Sequence, residues 1–246
     1  MGEAIQLEHF AQFVPEPAVA LVVAPIALVY SLAVAAFASH LRTRRGVRAP
    51  FTRKLFHFGI FTMAAVVQWA SGPAATVVFG SVVALVVLYI VYRGDGFGFY
   101  EALARPTDAP HRSLFILVPL ATTAAGGVIS NLLFLRYAFV GYLVCGWGDA
   151  IGEPVGTRWG RHRYRVASLA GVVATRSLEG SASVLAVGTL AAFVGLLAGG
   201  FAPAHAIGIA AAAGTAGAVV EAFSTHGLDN LTVQIAAAGV AYAIGA

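Results

Sequence analysis

Apolar stretches of about 20 residues, nearly free of charge and separated by short polar connectors, recur along the whole chain, and no other feature limits its fold so strongly. Inside a bilayer every backbone N–H and C=O must find its partner within the protein, so stretches of this kind become helices. They run over 19–39, 55–70, 73–92, 114–130, 134–155, 178–197, 203–224 and 231–245. This predicts an all-α polytopic bundle of about eight transmembrane helices, with both termini on the same side. The second stretch is short, and Pro25, Pro119 and 28 glycines fit kinked helices packed closely through small residues.

Composition excludes a soluble fold. Charged residues make up 11% of the chain, against roughly 25% in ordinary soluble domains, and mean hydropathy is +0.83. No stretch is left over for a separate soluble domain, so residues 1–246 read as one integral membrane domain without internal repeats. The single Cys145 lies in an apolar run and rules out a disulfide framework, which fits a packed small residue. The N-terminal segment, with Glu3, Glu8 and Glu16, is acidic where a cleaved leader would be basic, and no cleavage is expected.

Placed on eight crossings, the cations fall on one side. Arg42, Arg44, Arg45, Arg48, Arg53 and Lys54 follow the first stretch; Arg93, Arg105 and Arg112 follow the third; Arg158, Arg161, Arg163, Arg165 and Arg176 follow the fifth. Arg136 is the exception. The positive-inside rule makes that side cytoplasmic, so the formal charge of +4 reads as topology and calls for no nucleic acid. Asp95, Glu101 and Asp108 read as solvated groups of an inner loop. Asp149, Glu153, Glu179, Glu221 and Asp229 instead sit in or at the cytoplasmic ends of stretches, where an ionised group is costly unless paired, hydrated or metal-bound.

Polar chemistry concentrates between Gly146 and Ser181, GWGDAIGEPVGTRWGRHRYRVASLAGVVATRSLEGS. Asp149, Gly152, Glu153 and Gly156 follow i, i+3, i+4, i+7 spacing, which on a helix sets two carboxylates beside two points of close backbone approach. Two acids on one stripe suit a divalent cation, and the arginines that follow suit anionic oxygens. Together they fit a nucleoside triphosphate carried with Mg²⁺. In RKLFH, residues 53–57, Lys54 and His57 can face one point, although topology anchors and an interfacial histidine would look the same. Asp229 in GLDNLT is either a functional acid or the cap of the last helix, and Ser177 fits a cap for the sixth. Trp69, Trp147 and Trp159 read as belt or packing residues.

RKLFH, GDAIGEPVGTRWGRHRYR, TRSLEGS and VEAFSTHGLDNLT, in that order and between apolar stretches, resemble the polyprenol kinase family, the dolichol and phytol kinases. The likeness covers 53–246 and is most specific from GD to EGS. It implies transfer of the γ-phosphate of CTP, or UTP, to the hydroxyl of an isoprenoid alcohol with Mg²⁺, and a distant likeness to phosphatidate cytidylyltransferases. Where the family usually carries Lys before Ser/Thr-x-Glu-Gly, this chain has Arg176. On this basis Asp149, Glu153 and Glu179 are expected to hold Mg²⁺. Lys54, Arg161, Arg163 and Arg176 would cradle phosphate oxygens, with Gly156, Glu179, Gly180 and Asn230 also at the nucleotide and the 156–165 loop closing over it. Asp229 or His57 would orient or deprotonate the acceptor hydroxyl. A cytidylyltransferase acting on a phospholipid, or a small-molecule transporter, is the alternative.

Overall fold

The computed structural model describes residues 10–167, 170, 172–225 and 227–246; Glu3 and Glu8 of the acidic N-terminal segment lie outside them. The elements in order are α1 (Pro17–Arg44), α2 (Ala49–Arg93), α3 (Gly98–Leu103), α4 (Leu114–Phe134), α5 (Ala138–Leu143), α6 (Asp149–Trp159), β1 (Arg163–Val166), β2 (Ala174–Ser177), α7 (Leu178–Ala198), α8 (Pro203–Phe223) and α9 (Asp229–Gly245). Among the described residues, five helical stretches are long and apolar enough to cross a membrane: Pro17–Arg44, Ala49–Arg93, Leu114–Trp159, Leu178–Ala198 and Pro203–Phe223. The chain is thus a helical, multi-pass membrane protein. The predicted count of about eight is not met by helix length, because two of the five are unusually long and α9, with 17 residues, falls short of the usual ~20-residue span.

Both long stretches fold back on themselves. Within α2, Gly72 adopts φ 78°, ψ −173° just ahead of Pro73. A left-handed φ comes without penalty only at glycine, and the following proline disfavours helix at the residue before it. Phe56, Ile60, Val83 and Val87 nevertheless line one small cavity. In a straight helix Phe56 and Val87 would be about 46 Å apart at 1.5 Å per residue, so the halves of α2 lie side by side. The third stretch turns through a 3₁₀ segment at Leu135–Tyr137, which lets Asn131 Nδ2 of α4 donate to Tyr142 Oη of α5 at 2.5 Å.

Between α5 and α6 the helix widens into a single π turn, Val144–Gly148, directly before Asp149. Such turns re-aim the side chains that follow them and recur at functional sites. Gly146 lies against α2 so closely that a Cβ there would stand 2.3 Å from Phe61 Cβ. The small residues of α7, α8 and α9 close the core around Val140, Val144, Leu196, Ile209 and Val233, all buried. Cys145 is buried among them, as expected.

One departure from an all-helical chain lies in the predicted polar loop. β1 and β2 form a two-stranded antiparallel ribbon, pairing Arg163 with Ser177 and Val166 with Ala174. The ribbon runs straight into α7, whose first turn is capped by Ser177: its Oγ accepts from Gly180 N at 3.1 Å, as the sequence predicts.

Candidate functional site

Two groups of charged side chains gather where α2, α6, α8, α9 and the ribbon meet. The first is built on α2 and α6. Lys54, only 6% exposed, brings Nζ to 2.5 Å from Asp149 Oδ2 and 3.3 Å from Glu153 Oε2. One turn further along α2, His57 Nε2 lies 3.5 Å from the same Asp149 oxygen and 3.4 Å from the Cys145 carbonyl, with its ring 4.3 Å from that of Phe61. RKLFH and GDAIGE therefore face each other, which the sequence left open. A buried charge at a helix end persists only when it is paired, and here each is.

An outer tier continues the network from the connector between α3 and α4. Arg105 donates from Nη1 to Glu153 Oε1 and from Nε to Asp108 Oδ2, both at 2.9 Å, and Arg53 Nη1 lies 3.9 Å from Asp108. Burial works against the Arg105 charge, but Glu153 and Asp108 outweigh it and hold the guanidinium more firmly protonated than an ordinary arginine. The expectation that Asp108 is a solvated loop acid is corrected: it is 2% exposed, because two arginines draw it under the connector. Arg112, bonded to Glu101 at 2.8 Å and to Asp95, ties the same connector down; its hydrogen bond holds Glu101 below the usual carboxylate range.

The second group centres on Arg176 of β2. Its Nη1 pairs with Glu221 Oε1 near the end of α8, and its Nη2 donates to Asp229 Oδ2 at 3.0 Å and to the Ser224 carbonyl at 3.4 Å. Asp229 is the first residue of α9, and Leu228 occupies the cap position without a side-chain bond. Its Oδ1 accepts from the adjacent Asn230 N at 3.0 Å. The capping alternative is thereby reduced to one local hydrogen bond; the other carboxylate oxygen serves Arg176.

Both groups line one cavity of about 590 Å³, together with Gly152, Gly156 and Gly180. Arg42, Arg48, Arg105 and Arg163 add positive charge to its wall. The sequence marked Arg42, Arg48 and Arg105 only as topology anchors, since nothing in their spacing reveals that two connectors fold over the same opening. Arg161 is exposed on the approach to β1. Glu179 points elsewhere: its carboxylate accepts from His162 Nδ1 at 2.8 Å and from His162 N at 3.3 Å. The expected trio Asp149, Glu153 and Glu179 is therefore not assembled. Among the described residues no three of His, Cys, Asp and Glu gather to hold a metal.

Mg²⁺ nevertheless fits this lining in kind. It takes hard oxygen donors, commonly one or two carboxylates plus substrate phosphates, and Asp149 and Glu153 supply such a pair on one helix face. Glycine at 152 and 156 keeps α6 against α7: a Cβ on Gly152 would meet Val184 Cγ2 at 2.5 Å, and one on Gly156 would meet Ser177 Oγ at 3.0 Å.

The fold and site thus define a helical multi-pass membrane protein with a cavity lined by both cations and carboxylates beside its apolar core. No family model matches the chain, and no solved structure matches it. Among curated proteins it is 30% identical over 198 residues to a phytol kinase of Synechocystis sp., an alignment covering 79% of each chain. The chain belongs to the polyprenol kinase family, within which the phytol kinases fall.

Proposed function

We propose that this protein is a membrane lipid kinase that transfers the γ-phosphate of CTP, or UTP, to the hydroxyl of an isoprenoid alcohol. The observation that carries this is the convergence on one cavity of Lys54, of Asp149, Gly152, Glu153 and Gly156, of Arg176 and Gly180, and of Asp229. These come from four separate stretches of sequence. Phosphoryl transfer asks a protein for charge neutralisation, alignment and a proton acceptor, and the cavity offers groups for all three. The phytol kinase relative supports a prenol-type acceptor.

Lys54 and Arg176 would bind phosphate oxygens in exchange for their present carboxylate partners, and Arg163, now bonded to the Gly160 carbonyl, would join them. Asp149 and Glu153 would hold the Mg²⁺, which would neutralise charge developing on the triphosphate. The acceptor oxygen bonds to the γ-phosphorus as the bridging β–γ P–O bond breaks. The nucleoside diphosphate leaves, and the hydroxyl proton passes to Asp229 or His57.

Eight crossings follow from counting the two folded-back stretches twice and adding α9. The site would then lie at the cytoplasmic face, with its arginines, and Arg136 at the opposite end beside Phe201.

Incubating the purified protein with γ-labelled CTP and phytol, geranylgeraniol, dolichol or diacylglycerol tests this. Label in a prenol with release of CDP is expected. Release of pyrophosphate with CMP retained on the lipid would identify a cytidylyltransferase and overturn the kinase.

A further inference from the structure

Behind the large cavity lies a smaller one, about 100 Å³, lined mostly by apolar side chains. Its walls are Phe56 and Ile60 from the first half of α2, Val83 and Val87 from the second half, and Ile116 and Leu120 from α4. Phosphate or ribose would find no partners against these side chains, whereas burial of a hydrocarbon against them is favourable. Arg53, His57, Thr123 and Asn230 add polar groups at its edge, and it shares Lys54, Asp149 and Asp229 with the large cavity.

A mostly apolar slot whose polar residues abut a phosphate site has the chemistry of a long-chain alcohol. Thr123 Oγ1 accepts from Asn230 Nδ2 at 2.8 Å, which fixes the hydroxyl while leaving its own proton to donate. Asn230 in turn follows Asp229 and is anchored to the Pro119 carbonyl at 3.4 Å. An alcohol oxygen beside Thr123 would sit next to the residues that both cavities share. His57, 3.5 Å from Asp149 Oδ2, closes the same wall. Asn230, expected at the nucleotide from the sequence, thus belongs to the slot.

Resting on the kinase function above, we infer that the space between the two halves of α2 and α4 is the acceptor subsite. It takes the carbinol end of a branched isoprenoid alcohol, and Thr123 is a positioning residue for its hydroxyl. The fold-back at Gly72 creates the subsite, because it sets Val83 and Val87 opposite Phe56 and Ile60.

The test uses the full chain in lipid vesicles. Val87→Phe fills the slot and Thr123→Val removes the hydroxyl at nearly constant shape. Each should raise KM for geranylgeraniol, roughly tenfold or more for the first, while KM for CTP stays within about twofold. A geranylgeraniol probe with a photoreactive diazirine near the carbinol should label residues of α2 and α4 in the parent, and Val87→Phe should suppress the labelling. Unchanged alcohol KM in both variants, or labelling confined to other helices, overturns the subsite. Failure of the parent to phosphorylate any prenol would overturn the kinase function instead, and the labelling pattern would still judge the slot.

Discussion

The two charged groups around the cavity have the same stoichiometry, one cation against two carboxylates, but opposite support. Lys54 stands on the long α2, and Asp149 and Glu153 on α6, braced behind by Arg105, Asp108 and Arg53. Arg176 stands on a strand of four residues and reaches across to acids at the end of one helix and the start of another. The first group resembles a fixed jaw and the second a hinged one. Binding a triphosphate would require both cations to trade partners, Lys54 from within a packed helix and Arg176 from a short strand one residue ahead of the α7 cap.

The largest effect is expected at the fixed jaw. Asp149→Asn keeps the shape but removes the charge facing Lys54, and it should lower turnover by about 10³-fold, in the range seen for loss of a key electrostatic group. The protein should remain inserted and folded. Near-normal activity at limiting Mg²⁺ would break the assignment of Asp149 to the metal.

Asp229→Asn, on the hinged side, separates charge from hydrogen bonding. Its Oδ1 bond to Asn230 N survives the exchange and Arg176 keeps Glu221, so the protein should stay folded and inserted, with the loss of stability coming from the weakened Arg176 pair rather than from the cap. Label transfer should fall at least about a hundredfold if Asp229 receives the hydroxyl proton. Ordinary activity would leave His57 as the proton acceptor.

A smaller effect is expected from Arg176→Lys, which tests whether the hinge needs a fork. Arg176 meets Glu221 and Asp229 through different nitrogens, and a single ammonium spans both poorly. KM for CTP should rise roughly tenfold with kcat little changed, as when uniform binding is lost. A variant indistinguishable from the parent would show that charge alone matters at this position and would remove the contrast between the jaws.

Much of this was legible in the residues. The i, i+3, i+4, i+7 stripe from Asp149 to Gly156 became α6 with its acids toward Lys54 and its glycines toward α7. The break between the second and third apolar stretches fell at Gly72 because Gly-Pro interrupts a helix whatever surrounds it. Asp108 and Glu179 were misplaced for a common reason. Each lies in or just after a connector whose path is set by a partner far along the chain, Arg53 for one and His162 for the other, and no local period encodes such a path. The ribbon escaped notice because four-residue strands are too short to display alternation.

The glycines in α6 and at its C-terminal cap determine how mutation would injure this protein. Gly152 and, just past the end of the helix, Gly160 take no part in chemistry, yet an added methyl would stand 2.5 Å from Val184 Cγ2 at the first and 2.6 Å from Ser177 Oγ at the second. Either would push the acid-bearing helix sideways, and a displacement of about 1 Å at a reacting centre can cost as much as about a hundredfold in rate. The dimensional accuracy of the site is therefore stored in atoms that are missing, so its fragile positions include residues with nothing to protonate, coordinate or donate.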